Sequence, residues 1–287
     1  MGDKVLSAKS QAIYQKAIQD ICHAFNATSF DILKEHARVI AWIEGLPKAL
    51  NTKKIYYISL VSTLKRMADP SYEKALAAYK GKQDAYNASV KEQMERQEMS
   101  VREEENFLSW PDVLKVREAA RLDAKDLMTF QDYVLVCLYT YLPPVRLDYS
   151  PMAVVTEDPQ AKTGNYLLVL PTGLSFIMNE YKTAKRYGQK RTAVPKDLER
   201  ILREWLDINP SGWLLCDRDG DPLTEKTLGT RLSAIFKKYS GKSVSVNLLR
   251  HSFVSWLRRN EKPLLKNKEI AGLMGHSLEM NMLYRRI

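Results

Sequence analysis

Pro143 and Pro144 stand side by side at the end of the most apolar helical stretch, KDLMTFQDYVLVCLYTYL, which starts at Lys125. Proline lacks an amide hydrogen and fixes φ, and the residue before it is held out of the α region. A helix expected over 125–140 therefore stops here, and the backbone is extended where PPVRLDY presents Arg146. Beyond it the pattern changes to short runs of strand-forming residues: MAVVT (152–156), YLLVL (166–170), LSFIMN (174–179) and RTAV (191–194). Thr172-Gly173 reads as a tight hairpin turn between the second and third. Helical periodicity returns with VPKDLERILREWLDI (194–208), begun by Pro195. A segment capped by Thr224 and stopped by Gly241 follows, and then one capped by Ser245. One apolar helix, a small antiparallel sheet and a run of further helices make an α+β domain.

Everything upstream is helical. SAKSQAIYQKAIQDICHAFN repeats Ile13, Ala17, Ile21 and Phe25 at helical spacing. Ser29 caps an expected helix over FDILKEHARVIAWIEGL, and Thr52 opens another that stops before Asp69-Pro70. A fourth, from Tyr72 into VREEEN, is long and charged. Its second half is expected to leave the domain body and become a linker. Ser109-Trp110-Pro111-Asp112 then starts a helix over 111–122. The organisation is a helical domain (1–95), a linker (96–106) and a second domain (107–287). The fold class is mainly α with a small antiparallel sheet.

Composition narrows the function. The net charge is +10, and its distribution is uneven: residues 240–287 hold 9 Lys/Arg against 3 Asp/Glu. A cationic surface points to nucleic acid, where each neutralised phosphate releases counterions. Cys22, Cys137 and Cys216 lack C-x-x-C spacing, and the four histidines are dispersed, so no disulfide framework, zinc site or other metal is expected. DRDGD (217–221) lacks the Glu and flanking helices of a calcium loop. No apolar run reaches the ~18 residues of a membrane span. The polar N-terminus reads as neither signal nor lipid anchor. An intracellular protein with no membrane partner is expected.

The last 42 residues carry the chemistry. VNLLRHSFVSWLRRN places Asn247 and Arg250 three apart, on one helix face. KEIAGLMGHSLEMNMLYRRI then brings His276 at a helix end and Tyr284 near the terminus. Arginine binds phosphate through two donors, and tyrosine can act as a nucleophile. The pattern L-L-R-H-S-F, L-M-G-H-S and a tyrosine eight residues on resembles the C-terminal signature of the tyrosine recombinases, the phage-integrase family. The resemblance covers about residues 106–287.

It implies a site-specific recombinase or integrase that cuts and rejoins double-stranded DNA through a covalent 3′-phosphotyrosine, as a homotetramer on two DNA sites. No metal, ATP or small-molecule cofactor is implied. The N-terminal helices correspond to a core-binding domain, one jaw of a clamp on DNA. Catalysis falls to Arg146, Lys182, Asn247, Arg250, His276 and Tyr284. Lys182, in Y-K-T, is the better match to the family's hairpin lysine, and Lys185 is the second. Lys185, Arg186, His251, Arg258 and Arg259 are assigned to DNA binding. PPVRLDY looks more like the form in some eukaryotic viruses and mobile elements than the common T-G-L-R-x-x-E, so Asp148 is the candidate to orient Arg146. The protein would act where its DNA is, in the nucleus of a eukaryotic host or otherwise in the cytoplasm.

Two departures stand out. Asn247 occupies the usual histidine of H-x-x-R, and it can hydrogen-bond but cannot carry charge. Only Arg285, Arg286 and Ile287 follow the tyrosine, where many relatives continue with a helix that docks into a neighbour. Either subunit coupling is built differently or this chain is shortened. Competing readings are a type IB-like topoisomerase, which shares the residue set, and a DNA-binding regulator with a degraded site.

Overall fold

The computed structural model describes residues 6–96, 99–260, 264–275, 277, 280 and 284. The chain divides into two compact units, Met1–Arg96 and Gln97–Ile287.

The first unit is four helices. α1 (Ala8–Ala24) is capped by the Ser7 hydroxyl. The helix expected over 30–46 is two pieces, a 3₁₀ turn (Phe30–Lys34) and α2 (His36–Gly45). Glu35, at φ −77° and ψ 53°, breaks the repeat between them. The Lys34 carbonyl is bonded by the His36 ring. α3 (Leu50–Met67) starts two residues before Thr52, which therefore lies inside the helix. It ends at Ala68 in the left-handed region, and Asp69 then caps a short turn by accepting from the Ser71 amide.

α4 (Glu73–Glu95) stays on the body at least as far as Tyr86, whose ring packs 5.3 Å from that of Tyr57, and it ends before VREEEN. Ile21, Leu33, Val39, Ile43, Tyr57, Leu60 and Tyr79 form the core. At its edge the Glu44 carboxylate accepts from Tyr57, Tyr86 and Lys82 at 2.9, 2.6 and 3.0 Å.

The second unit is α+β. α5 (Val101–Asn106), with a Ser100/Glu103 capping box, occupies part of the expected linker. α6 (Trp110–Leu122) begins at Ser109 with Pro111 in its first turn, and α7 (Leu127–Leu138) begins at Asp126. The sheet follows in the order β1 (Ala153–Val155), β2 (Asn165–Leu170), β3 (Gly173–Met178) and β4 (Lys190–Ala193). It is mixed: β1 lies parallel to β2, and the other pairs are antiparallel. β1 has three residues, so the loop 156–164 suffices to return the chain for a parallel pairing. Leu170 pairs with Gly173, which makes Pro171-Thr172 the centre of the β2–β3 turn. A short helix, α8 (Ala184–Tyr187), lies between β3 and β4.

α9 (Lys196–Ile208), α10 (Glu225–Ser240), α11 (Val246–Arg259) and α12 (Leu264–Leu273) complete the unit. α7 runs through the middle of the core. Val134, Leu135 and Leu138 cluster with Phe176 of the sheet, Leu202 and Trp205 of α9, Phe236 of α10 and Leu249 of α11. Buried Gln131 fixes α7 to the segment after α9, exchanging two bonds with the Cys216 backbone at 2.9 and 2.8 Å. Among the described residues no helix is long and apolar enough to cross a membrane. The described residues hold no cluster of metal-binding side chains.

Candidate functional site

α11 supplies the centre of the site. Its Ser245 cap sets the first turn, and Leu248, Leu249, Phe253 and Leu257 bury one side. That packing takes Arg250, at 0% exposure, into the protein with them. Its Nη1 donates to the Pro144 carbonyl at 2.7 Å and the Met274 carbonyl at 3.2 Å. α11, the proline loop and the turn after α12 therefore meet at one guanidinium. The opposite edge, Nε and Nη2, is buried without a hydrogen-bond partner among the described residues. Burial lowers this group's pKa from the ordinary arginine value, Tyr284 and Asp148 oppose that, and Arg146 reinforces it. An arginine remains a cation at neutral pH.

Arg146 sits on the loop that Arg250 grips. Its backbone is pinned on both sides. The Asp148 carboxylate accepts from its amide at 3.2 Å, and Tyr139 donates to its carbonyl at 2.6 Å. Tyr139 and Tyr149 are buried in edge-to-face contact beneath, with ring centroids 5.4 Å apart. Burial pushes the Asp148 carboxyl above the usual carboxylate range, against the pull of Arg146, Arg250 and Lys190. Asp148 thus lies amid three cations.

Tyr284 is 6% exposed and rests on α11. Its hydroxyl donates to Asn247 Oδ1 over a long 3.4 Å, its carbonyl accepts from His251 Nδ1 at 2.7 Å, and its ring lies 4.8 Å from the Arg250 guanidinium carbon. Asn247 is exposed, at the open side of the site.

The basic residues divide. Lys182, Lys185 and Arg186 are exposed on the β3–β4 connection, and Arg259 is exposed at the end of α11. Arg258 is partly buried there. His251, expected on DNA, is 5% exposed and turned to Tyr284, because four residues from Asn247 is one helical turn. His276 lies outside the described residues.

Sequence reasoning missed Lys190. Its Nζ donates to the Gly272 carbonyl at 2.6 Å and lies 4.5 Å from the Tyr181 ring centroid. It lines a small cleft with Pro143, Val145, Tyr149 and Thr192. Burial lowers its pKa below the ordinary lysine value, with Arg250 in support and Asp148 opposed. The signal was strand alternation. If Thr192 of RTAV points to the cleft, so does residue 190, while Arg191 points away and pairs with Asp158 at 2.6 Å.

Comparison with known proteins bears on the fold. Residues 163–287 match the model of the phage integrase family. The fold resembles the XerH site-specific recombinase bound to difH substrate in a pre-cleavage complex. The TM-score is 0.55 at 16% identity, over 87% of this chain and 66% of that one. A post-cleavage XerH complex gives 0.55 at 16% identity, over 97% and 74% of the two chains. A protelomerase covalently complexed with substrate DNA gives 0.50 at 15% identity, over 100% and 90%. At such identities these likenesses establish the fold. No curated protein matches the chain.

Proposed function

The chain belongs to the phage-integrase, or tyrosine recombinase, family, and from that premise we propose a site-specific DNA recombinase acting through a 3′-phosphotyrosine intermediate. One observation carries the reading. Arg250 is wholly buried with one edge tied to carbonyls, its Nε/Nη2 edge has no hydrogen-bond partner among the described residues, and the Tyr284 ring lies beside it. Asp148 offsets the charge of Arg250 only in part, since it also faces Arg146 and Lys190, and a guanidinium edge of this kind can donate to two oxygens of one phosphate.

In the proposed step the Tyr284 oxygen attacks phosphorus and the bond to the 5′ oxygen breaks. The phenol proton passes to solvent, and a lysine protonates the departing oxygen. Arg146 and Arg250 carry the charge that develops on the non-bridging oxygens. Reversal by the freed 5′ hydroxyl of another strand rejoins DNA, because the phosphotyrosine keeps the energy of the broken bond. Lys182 is the acid by its place in Y-K-T, whereas Lys190 lines the cleft beside the Arg146 loop and has a pKa lowered by burial, which eases proton donation. Asn247 holds the phenol by a hydrogen bond where relatives place a histidine.

Unit Met1–Arg96 would supply the second DNA-contacting jaw. Lys185, Arg186, Arg258 and Arg259 would meet the backbone, in a tetramer that joins two sites of a mobile or viral element. Residues 96–106 would link the jaws.

The test uses nicked duplexes carrying the element's ends. The wild-type protein should give a covalent complex on a denaturing gel, with the phosphate on the peptide containing Tyr284. Tyr284→Phe should bind DNA equally and give none. An unchanged adduct yield would move the nucleophile elsewhere. Comparing Lys182→Met with Lys190→Met on a 5′-bridging phosphorothiolate, whose sulfur leaves without protonation, identifies the acid: only its loss is rescued by sulfur. Relaxation of a plasmid lacking any cognate site would favour a type IB-like topoisomerase.

A further inference from the structure

His251 lies inside the protein, and its Nδ1 bonds the main chain of the proposed nucleophile. Nδ1 is 2.7 Å from the Tyr284 carbonyl oxygen, and the two rings stack at 4.7 Å with a 39° tilt. A carbonyl oxygen only accepts, so the imidazole carries a proton on Nδ1. Asn247 and His251 are successive positions on one face of α11 and touch opposite ends of Tyr284, hydroxyl and backbone. Between them Arg250 lies over the ring. One helix therefore grips one residue at three points, and two of those points set where the phenol oxygen is.

We infer that His251 is a positioning residue for Tyr284: its Nδ1–H fixes the tyrosine main chain, and so aims the phenol at the phosphate held by Arg250. This rests on the reading of Tyr284 as nucleophile. It takes the place of the expected DNA contact, because the ring is buried and its Nδ1 is used on the Tyr284 carbonyl. Attack requires the two reacting atoms close and in line, and a displacement of about 1 Å costs a rate on the order of 10². The backbone bond matters because rotation at Cα swings the distant oxygen through several ångströms.

The experiment measures single-turnover adduct formation on the nicked duplex, with DNA affinity read in parallel. His251→Phe keeps a ring of similar size and its stacking but has no donor. It should bind DNA within about twofold of wild type and form adduct roughly 10–100-fold more slowly. His251→Asn sets an amide nitrogen close to the former Nδ1 position and should recover most of that loss. His251→Gln sets its amide at the other ring nitrogen and should not recover it. The loss in His251→Phe should be the same on oxygen- and sulfur-bridged substrates, since the residue acts on the nucleophile and not on the leaving group.

A His251→Phe rate equal to wild type overturns the inference. So does a loss of affinity at unchanged rate, which would restore the phosphate contact, and so does rescue by sulfur, which would make His251 the acid. If His251→Phe fails to bind because it fails to fold, the Asn and Gln variants decide, and equal rates overturn the inference. Adduct formed by Tyr284→Phe would instead remove the nucleophile reading. Adduct lost in Tyr284→Phe but normal in His251→Phe removes only the positioning role.

Discussion

Arg250 and Asp148 show what single side chains do when charge is buried. Arg250 uses Nη1 to hold two loops together, and in the proposed reaction its other edge meets the phosphate. Lysine keeps the charge but has no planar fork and cannot serve both edges. Arg250→Lys should therefore lose adduct formation by at least about 10², and a rate within threefold of wild type would separate the fork from catalysis. Asp148 behaves oppositely in titration. Its folded-state pKa is raised by burial, so the native state binds the proton more tightly than the unfolded chain. Stability from this group is full below the ordinary carboxylate value of about 4 and is lost as pH rises through the folded value. Asp148→Asn keeps an oxygen for the Arg146 amide and removes the charge. Its melting temperature should exceed that of wild type at pH 8, and the difference should shrink towards zero near pH 3, measured by thermal melts across that range.

The C-terminal end of α12, with the turn after it, is where separate elements are joined. Its carbonyls are taken by side chains from three places: Gly272 by Lys190, Met274 by Arg250 and Gly275 by Thr183. Cations at a helix C-terminus also meet its dipole favourably. Gly275 has φ +75°, and a Cβ there would lie 3.4 Å from Lys190 Nζ. Gly275→Ala should cost about 1–2 kcal/mol from the left-handed backbone alone. A calorimetric melt should show the second unit lowered by several degrees. An unaltered melt would mean that this turn relaxes freely.

Such joins mark the limit of what sequence shows. Arg250, Asn247 and Tyr284 were legible because helical spacing and a short motif contain them. Lys190 was not, since the register of β4 against β3 decides which lysine turns inward. His251 was expected on DNA, whereas it is buried against Tyr284, and its four-residue spacing from Asn247 already placed the two together. The break at Glu35 left no proline or glycine to announce it.

The whole chain is two bodies with separate cores: the apolar cluster around Tyr57 and Leu60 shares no residue with the one around α7. Each is large enough to bury a core alone. Fragments 1–96 and 97–287 should therefore each unfold cooperatively in denaturant. Their roles on DNA separate by salt. Binding weakens with salt in proportion to the phosphates neutralised, with a log–log slope of about −0.9 for each. The proposed chemistry resides wholly in 97–287, so this fragment should still form adduct on the nicked duplex at low salt. If the first unit is a jaw on the backbone, the fragment's slope should be shallower than that of the intact chain by several units, and its affinity at 0.15 M salt should drop steeply. Titrating both proteins against the same labelled duplex from 0.05 to 0.3 M salt measures this. Parallel slopes would mean that residues 1–96 neutralise no phosphate, and their helices would then have to be explained as a surface for another protein.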